Sequence, residues 1–213
     1  MKKIKKKKLR WYKQRKNPDP AQTARELGRM KRELAKARRE GYRIIYLDET
    51  CFTRKTLRDI EWTSPGQNVS IDVARLDEPC LSLLASISKE KGIEHYRIFP
   101  KSVNIPRFKE WLRELRERNG EAKIALFMDN LSVHRSEKAL RYARELGFKY
   151  IFNLSYSPEY NPIELTFSQL KHKYRSLRAQ KLVGLRQEPA EGLINIAWQS
   201  LKKKNIVSCI EHV

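Results

Sequence analysis

The chain has 213 residues, of which 40% are hydrophobic and 33% are charged, and its formal net charge is +21. This length suffices for one sizeable hydrophobic core, and the hydrophobic fraction excludes wholesale disorder. No run of apolar residues approaches the roughly 18 to 20 of a membrane span, and no secretory signal is present, so we expect an intracellular protein. A net charge of this size favours a polyanionic partner.

The first 40 residues carry most of the excess positive charge. They hold 17 lysines and arginines against four acids, and the run MKKIKKKKLRWYKQRK sets two aromatic residues among the cations. Such runs are typical of disordered tails, and on nucleic acid their cations pair with phosphates and release counterions. We therefore predict that residues 1–40 form a basic arm followed by a linker helix. The predicted DNA contacts in the arm are Lys5, Lys6, Lys7 and Arg10.

The linker helix is predicted over residues 21–41, where apolar residues recur three and four positions apart and Gly41 ends the pattern. From residue 41 onward we predict a folded domain that extends to residue 213. It starts with YRIIYLDET, an apolar, β-branched and aromatic run that predicts a buried strand. A turn at residues 64–66 with a strand after it comes next, followed by strands around a turn at residues 90–92.

Helices and strands alternate in the second half of the chain. NIPRFKEWLRELRERNG predicts an amphipathic helix, and AKIALFMDN predicts a second buried strand. Ser136 and Gly147 bound a predicted helix that precedes the strand FKYIFNL, and Pro162 lies in the first turn of the next helix. One or two short helices are expected at the end of the chain.

The resulting order, β-β-β-α-β-α-β-α, predicts an α/β fold built on a mixed five-stranded sheet. The three early strands form an antiparallel meander in the simplest arrangement. The later alternation of helices and strands adds parallel strands and places helices on both faces of the sheet.

Carboxylates mark the places where the chemistry is expected. Two buried strands end in Asp48 and Asp129, and ligands gather at the carboxyl ends of strands in α/β sheets. Glu164 opens a helix that can reach the same edge, and three carboxylates brought together would repel one another unless a divalent cation neutralised them. Oxygen ligands suit Mg²⁺ or Mn²⁺, and two such ions about 4 Å apart activate a water or a 3′-hydroxyl at a phosphodiester. The competing interpretation is that each acid is an ordinary turn or helix-cap residue.

Three motifs, YLDET, FMDNLSVH and SPEYNPIE, resemble those of the DDE transposase domain in the Tc1/mariner and IS630 group. The 34 residues between Asp129 and Glu164 match the DD34E spacing of Tc1-like members, and EWTSPGQ is also similar to a segment of that group. The resemblance covers about residues 41–213. It implies an RNase H-like fold and a metal-binding catalytic triad of Asp48, Asp129 and Glu164. It also implies two Mg²⁺ or Mn²⁺ ions and DNA strand cleavage and transfer in cut-and-paste transposition.

Several neighbouring residues are predicted to support this site, each with a plainer alternative. Glu49 is either a supporting acid or a salt-bridge partner. Asn130 and His134 follow the second aspartate, and His134 either touches DNA, orients the site or makes a local hydrogen bond. Asn161 is expected to hold the turn before the helix by bonding its side chain to the backbone. Cations that continue this helix either face DNA or form a solvated surface, and they are Lys171, Lys173, Arg175 and Arg178.

The resemblance also carries expectations about partners. DNA, as transposon ends and as target, is the expected partner, and a homodimer would bring two active sites to paired ends. Helix-turn-helix recognition modules do not fit into residues 1–40, so a separately encoded recognition subunit is one expectation and a truncated copy is the other. The location would be the cytoplasm at the nucleoid in a prokaryote, which we favour, or the nucleus in a eukaryote. Two alternative functions remain: an RNase H-like nuclease for RNA–DNA hybrids, and an inactive or co-opted remnant that binds DNA non-specifically.

Overall fold

Helices and strands are described here from a computed structural model that covers residues 19–53, 56, 80–155, 157–182 and 184–213. In chain order they are α1 (Pro20–Arg39), β1 (Arg43–Phe52), β2 (Leu81–Ser88), β3 (Gly92–Pro100), α2 (Ile105–Asn119), β4 (Ile124–Met128), α3 (Glu137–Glu145), β5 (Lys149–Phe152), a 3-10 turn (Pro158–Tyr160), α4 (Ile163–Leu182), α5 (Ala190–Gln199) and α6 (Lys203–His212). Among these residues, no helix combines the length and apolar character needed to cross a membrane.

The five strands form one sheet in the order β3-β2-β1-β4-β5. Strand β2 pairs antiparallel with both β1 and β3, whereas β4 pairs parallel with both β1 and β5. The predicted mixed five-stranded sheet, with its meander and its later parallel strands, is confirmed. The strand expected after the turn at residues 64–66 lies outside the described residues.

Strand β1 lies near the centre of the sheet and is buried on both faces. Ile45 and Leu47 belong to a core with α2 and α3, while Ile44 and Tyr46 belong to a second core with α1, α4 and α5. Successive side chains of a strand point to opposite faces, so a strand covered on both sides needs a nearly continuous apolar run. This alternation also decides which face each acid at the end of β1 occupies.

Helix ends agree with the local chemistry predicted for them. The side chain of Asn104 caps α2 by accepting a hydrogen bond from the backbone nitrogen of Arg107 at 3.1 Å. Gly147 follows α3 with a φ of 75°, a left-handed conformation that glycine adopts without steric cost. Ser136 precedes α3 as predicted, but its side chain makes no capping hydrogen bond.

Helix α1 departs from its predicted role as a linker ahead of the domain. Met30 and Ala37 are 5% and 0% exposed and belong to the same core as β1 and α4. The apolar stripe that predicted a helix is therefore buried against the sheet, and the packed domain extends upstream of residue 41 to include α1. The basic arm, with Lys5, Lys6, Lys7 and Arg10, lies outside the described residues.

Candidate active site

The three predicted catalytic acids line one cavity of about 470 Å³ at an edge of the sheet. Because β1 and β4 are parallel neighbours, their carboxyl ends lie at the same edge, which places Asp48 and Asp129 there. Helix α4 starts beside this edge and contributes Glu164. A larger groove of about 700 Å³ runs between α1, β1 and α6, but none of the predicted site residues lines it.

Asp48 is buried, with 7% of its surface exposed. Its Oδ1 accepts a hydrogen bond from the backbone nitrogen of Glu49 at 2.8 Å, and its Oδ2 accepts one from Nδ2 of Asn161 at 3.3 Å. Burial raises the pKa of Asp48 to about 8, and the negative charges of Asp129 and Glu49 add to that rise. Without a cation beside it, this carboxyl group holds its proton at neutral pH.

Asn161 connects the start of α4 to the end of β1. It is 1% exposed, and its Nδ2 donates to the backbone oxygen of Leu47 at 3.3 Å as well as to Asp48. The side chain therefore bonds to a distant strand, rather than within its own turn as predicted. Its Oδ1 is buried without a hydrogen-bond partner among the described residues.

His134 lies between two acids and is fully buried. Its Nδ1 is 2.7 Å from Oδ1 of Asp129, and its Nε2 is 3.2 Å from Oε1 of Glu49. Burial alone would lower the pKa of His134, but the hydrogen bonds to Asp129 and Glu49 outweigh burial and raise it to about 10. The ring is therefore protonated at neutral pH, so that both nitrogens donate.

Asn130 lies at the same edge and joins β4 to β5. Its Nδ2 donates to the backbone oxygen of Asn153 at 2.6 Å, and its Oδ1 accepts a hydrogen bond from Arg135. Asn153 in turn donates from Nδ2 to the backbone oxygen of Ser157 at 2.7 Å. Sequence reasoning missed Asn153, although it follows a third strand that ends at this edge.

Glu164 lies at the exposed rim, in the first turn of α4. A negative charge is favourable there because the backbone N–H groups at a helix start carry partial positive charge. Partial burial of the carboxyl group raises its pKa, Lys171 opposes the rise and Asp129 adds to it. This position explains how a strongly basic chain accommodates an exposed acid at the site.

The donor set fits a hard divalent cation, because three carboxylates contribute only oxygen atoms. Their mutual repulsion contributes to the raised pKa of Asp48 and would be relieved by a bound cation. Within the described part of the chain, however, no three acidic, imidazole or thiol groups already form a metal-ligand cluster. Among the described residues, the three acids therefore share one cavity, as predicted, but they are not already arranged as a metal-binding cluster.

The basic residues predicted along α4 occupy different environments. Lys173 is exposed, and Lys171 is half-buried close enough to Glu164 to affect its pKa. Arg175 donates from Nε to the backbone oxygen of Thr56 at 2.7 Å. Arg178 is 2% exposed, and its Nη1 donates to the backbone oxygen of Thr53 at 3.4 Å. The predicted DNA-facing position is wrong for Arg178, because the face of α4 that carries it packs inward.

Comparison with protein families decides the assignment. The family profile described as DDE superfamily endonuclease matches residues 43–185, a span that contains all three acids of the cavity. The chain belongs to the DDE superfamily endonucleases. The assignment made from the three motifs is thus confirmed, whereas curated proteins include no significant match to this sequence.

Solved structures support the fold of this DDE superfamily endonuclease. A pre-cleavage Mos1 transpososome matches with a TM-score of 0.62 at 15% identity, covering 98% of this chain and 63% of that one. A Mos1 mariner paired-end complex with Mn matches with a TM-score of 0.62 at 16% identity, covering 97% and 62%. The Mos1 transposase catalytic domain with Raltegravir and Mg matches with a TM-score of 0.58 at 14% identity, covering 91% and 90%.

These matches confirm the predicted RNase H-like fold. The chain spans somewhat less than two thirds of the length of the transpososome and paired-end proteins, but nearly all of the isolated catalytic domain.

Proposed function

We propose that this endonuclease is the catalytic part of a transposase, which cleaves DNA strands and transfers them during cut-and-paste transposition. The observation that carries this proposal is the shared cavity, in which β1, β4 and α4 present Asp48, Asp129 and Glu164 together. Membership of the DDE superfamily endonucleases supports the cleavage step, and the fold shared with the Mos1 transpososome and paired-end complex supports transposon ends as substrates. Target DNA is proposed as the acceptor of the transferred strand.

The cofactor proposed is Mg²⁺ or Mn²⁺, with two ions in each site. Asp48 and Asp129 would anchor the ions, and Glu164 would complete their coordination from the rim of the cavity. Ions bound there would activate a water or a 3′-hydroxyl and stabilise the leaving oxygen of a phosphodiester. Mos1 structures with Mn and with Mg support this choice of cations.

The chain's own residues prepare the acids for this task. Asp129 uses Oδ1 for the hydrogen bond from His134, and Asp48 is tied to Asn161 through Oδ2. Hydrogen bonds of this kind hold a carboxylate in one orientation, which reduces the conformational entropy lost when a ligand binds. Glu164 lies at the rim, where solvent and an incoming strand can reach it.

The proposed DNA surface extends from the cavity along α4. A shallow depression of about 460 Å³ beside this helix is lined by residues that include His172 and Lys173. Leu201 and Asn205 also line this depression. Between them, in and before the first turn of α6, three further lysines are exposed: Lys202, Lys203 and Lys204. In the described part of the chain no acid forms an ion pair with Lys173 or with these three, so they are free to pair with phosphates. Lys171 lies close enough to Glu164 to affect its pKa and would contact the strand beside that residue.

Further proposals concern the partners of this chain, and the Mos1 transposase paired-end complex with a transposon end supports the first of them. We propose that two copies of this chain act together on paired ends, and that a separately encoded subunit recognises the end sequence. The prokaryotic nucleoid is the proposed location, since the excess of positive charge suits prolonged contact with DNA.

Nicking of a supercoiled plasmid tests the proposed function. Wild-type protein should convert the plasmid to open circles with Mg²⁺ or Mn²⁺ and stop when EDTA is added. Glu164→Gln should abolish nicking, whereas Glu159→Gln should not, because Glu159 is also exposed and lies five residues away but does not line the cavity. Equal nicking by the two variants would refute the role of the cavity, and faster cleavage of an RNA–DNA hybrid would favour an RNase H-like nuclease.

A further inference from the structure

The buried contact between His134 and Glu49 connects the two faces of the central strand. Asp48 and Glu49 are consecutive residues of β1, so their side chains point to opposite faces of the sheet. Asp48 reaches the α4 side through Asn161, whereas Glu49 lies on the side of α2 and reaches His134. His134 then returns to the catalytic edge by its contact with Asp129.

This connection restrains the carboxylate of Asp129. Oδ1 accepts two hydrogen bonds, from Nδ1 of His134 at 2.7 Å and from the backbone nitrogen of Leu131 at 3.1 Å. With Oδ1 held from two directions, rotation about the last bond of the side chain would break at least one hydrogen bond. Oδ2 makes no hydrogen bond within the described residues and remains available to a ligand in the cavity.

The ring of His134 is itself held in place. It is fully buried, it packs against the ring of Phe108 with centroids 4.9 Å apart, and its Nε2 has Glu49 as its acceptor. Removing Glu49 would take away the buried partner of Nε2 and would let the ring rotate away from Asp129. Among the described residues, Oε2 of Glu49 is buried without a hydrogen-bond partner, so burial of this carboxylate carries a desolvation cost.

We propose that Glu49 and His134 are positioning residues that hold Asp129 with Oδ2 directed to the cation. The inference rests on the proposed function, since it assumes that Asp129 binds the metal. Residues that orient a metal ligand from behind raise affinity without touching the metal, and their loss typically costs about 10–100-fold in affinity or activity.

A second buried histidine pair in the same protein provides the matched control. His95 is 5% exposed, and its Nε2 is 2.8 Å from Oε2 of Glu114. It too lies against an aromatic residue of α2, Trp111, with ring centroids 5.3 Å apart. Neither His95 nor Glu114 lines the carboxylate cavity, so removing Glu114 disturbs a comparable pair without reaching Asp129.

The experiment is a calorimetric titration of Mn²⁺ into the DNA-free protein, with thermal unfolding in EDTA as a second readout. Glu49→Ala should weaken Mn²⁺ binding by about 10–100-fold. Glu49→Gln, which keeps an oxygen acceptor, should recover part of the affinity. Glu114→Ala should lower the unfolding temperature at least as much as Glu49→Ala does, but bind Mn²⁺ like the wild type. If Glu49→Ala does not fold, the same comparison is made between Glu49→Gln and Glu114→Gln.

The outcomes separate the inference from the proposed function. If wild-type protein binds Mn²⁺ and Asp129→Asn does not, but both Glu49 variants bind like Glu114→Ala, the positioning role is wrong and the proposed function stands. If wild-type protein binds no Mn²⁺, both are overturned. A selective loss of affinity in Glu49→Ala, with partial recovery in Glu49→Gln, supports the positioning role.

Discussion

Two buried histidines of this protein have similar partners but opposite electrostatics. His95 shares Glu114 with Arg97, which lies 2.8 Å from the same carboxylate. Burial lowers the pKa of His95; Glu114 opposes this, while Arg118 and Arg97 reinforce it. His134 instead lies between two acids, neither of which pairs with a lysine or arginine among the described residues, and its pKa rises to about 10. The contrast teaches that the charges around a histidine–carboxylate pair, rather than the pair itself, decide whether the ring carries a charge.

The largest difference between the two histidine–carboxylate pairs should appear in catalytic activity, when one carboxylate of each pair is replaced by an amide. Asp129→Asn should reduce metal-dependent plasmid nicking by more than about 100-fold, because even residues that only orient a metal ligand are worth about 10–100-fold. Glu114→Gln should leave the nicking rate within about threefold of the wild type, since Glu114 does not line the cavity. Gel quantification of open-circular plasmid under matched conditions measures both. An equal loss in both variants would mean that the two pairs do not differ in function.

The next effect is on the pH dependence of stability in EDTA. The pKa of His134 is raised from 6.5 to about 10, so its stabilising contribution is complete below pH 6.5 and is lost as pH rises toward 10. The pKa of Asp48 is raised from 3.8 to about 8, so stability also falls as pH rises between these values. His95, with its lowered pKa, works in the opposite direction and costs stability as pH falls below 6.5.

Thermal unfolding between pH 6.5 and 9 should therefore show a midpoint that falls by an amount on the order of 10 °C. One pKa unit corresponds to about 1.4 kcal/mol, and each kcal/mol to about 2–4 °C for a chain of this size. Asp48→Asn should make the decline shallower up to about pH 8, and His134→Gln should make it shallower across the whole window. His95→Gln should leave this window unchanged. A midpoint in wild-type protein that rises across the window would contradict the raised pKa values of both groups.

The smallest effect concerns basic residues at the surface and in the interior. Lys202→Gln and Lys204→Gln should each reduce the slope of log affinity for duplex DNA against log salt by about 0.9 if the lysine neutralises one phosphate. Arg178→Gln should leave the slope unchanged and destabilise the protein by about 1–3 kcal/mol, because it removes a buried hydrogen-bonding group. Fluorescence anisotropy at several salt concentrations, with denaturant unfolding in parallel, distinguishes the two classes. If only Arg178→Gln changed the slope, Arg178 would contact DNA and the two lysines would not.

Local sequence patterns determined the helices and strands and the edge where the acids gather. The apolar run before Asp48 and the one before Asp129 each predict a buried strand, and parallel pairing brings both carboxyl ends to one edge. The third acid, Glu164, opens a helix that can reach this edge, and the resemblance of its motif and spacing to the DDE transposase group identifies it. The strands and their shared edge depend on residues close in sequence and on topological rules, and for that reason they are predictable without coordinates.

Only the tertiary structure decided how the remaining residues are used. Arg178 and Lys173 lie five residues apart on one helix, yet packing against Thr53 buries the first and leaves the second in solvent. Glu49 and His134 are 85 residues apart, so their contact depends on how α2 and the turn after β4 pack on the sheet. Helix α1 likewise packs into the core. This packing was not predicted, because the apolar stripe that predicts a helix carries no information about the helix's partner. Packing between residues distant in sequence sets these positions, and local sequence patterns do not determine that packing.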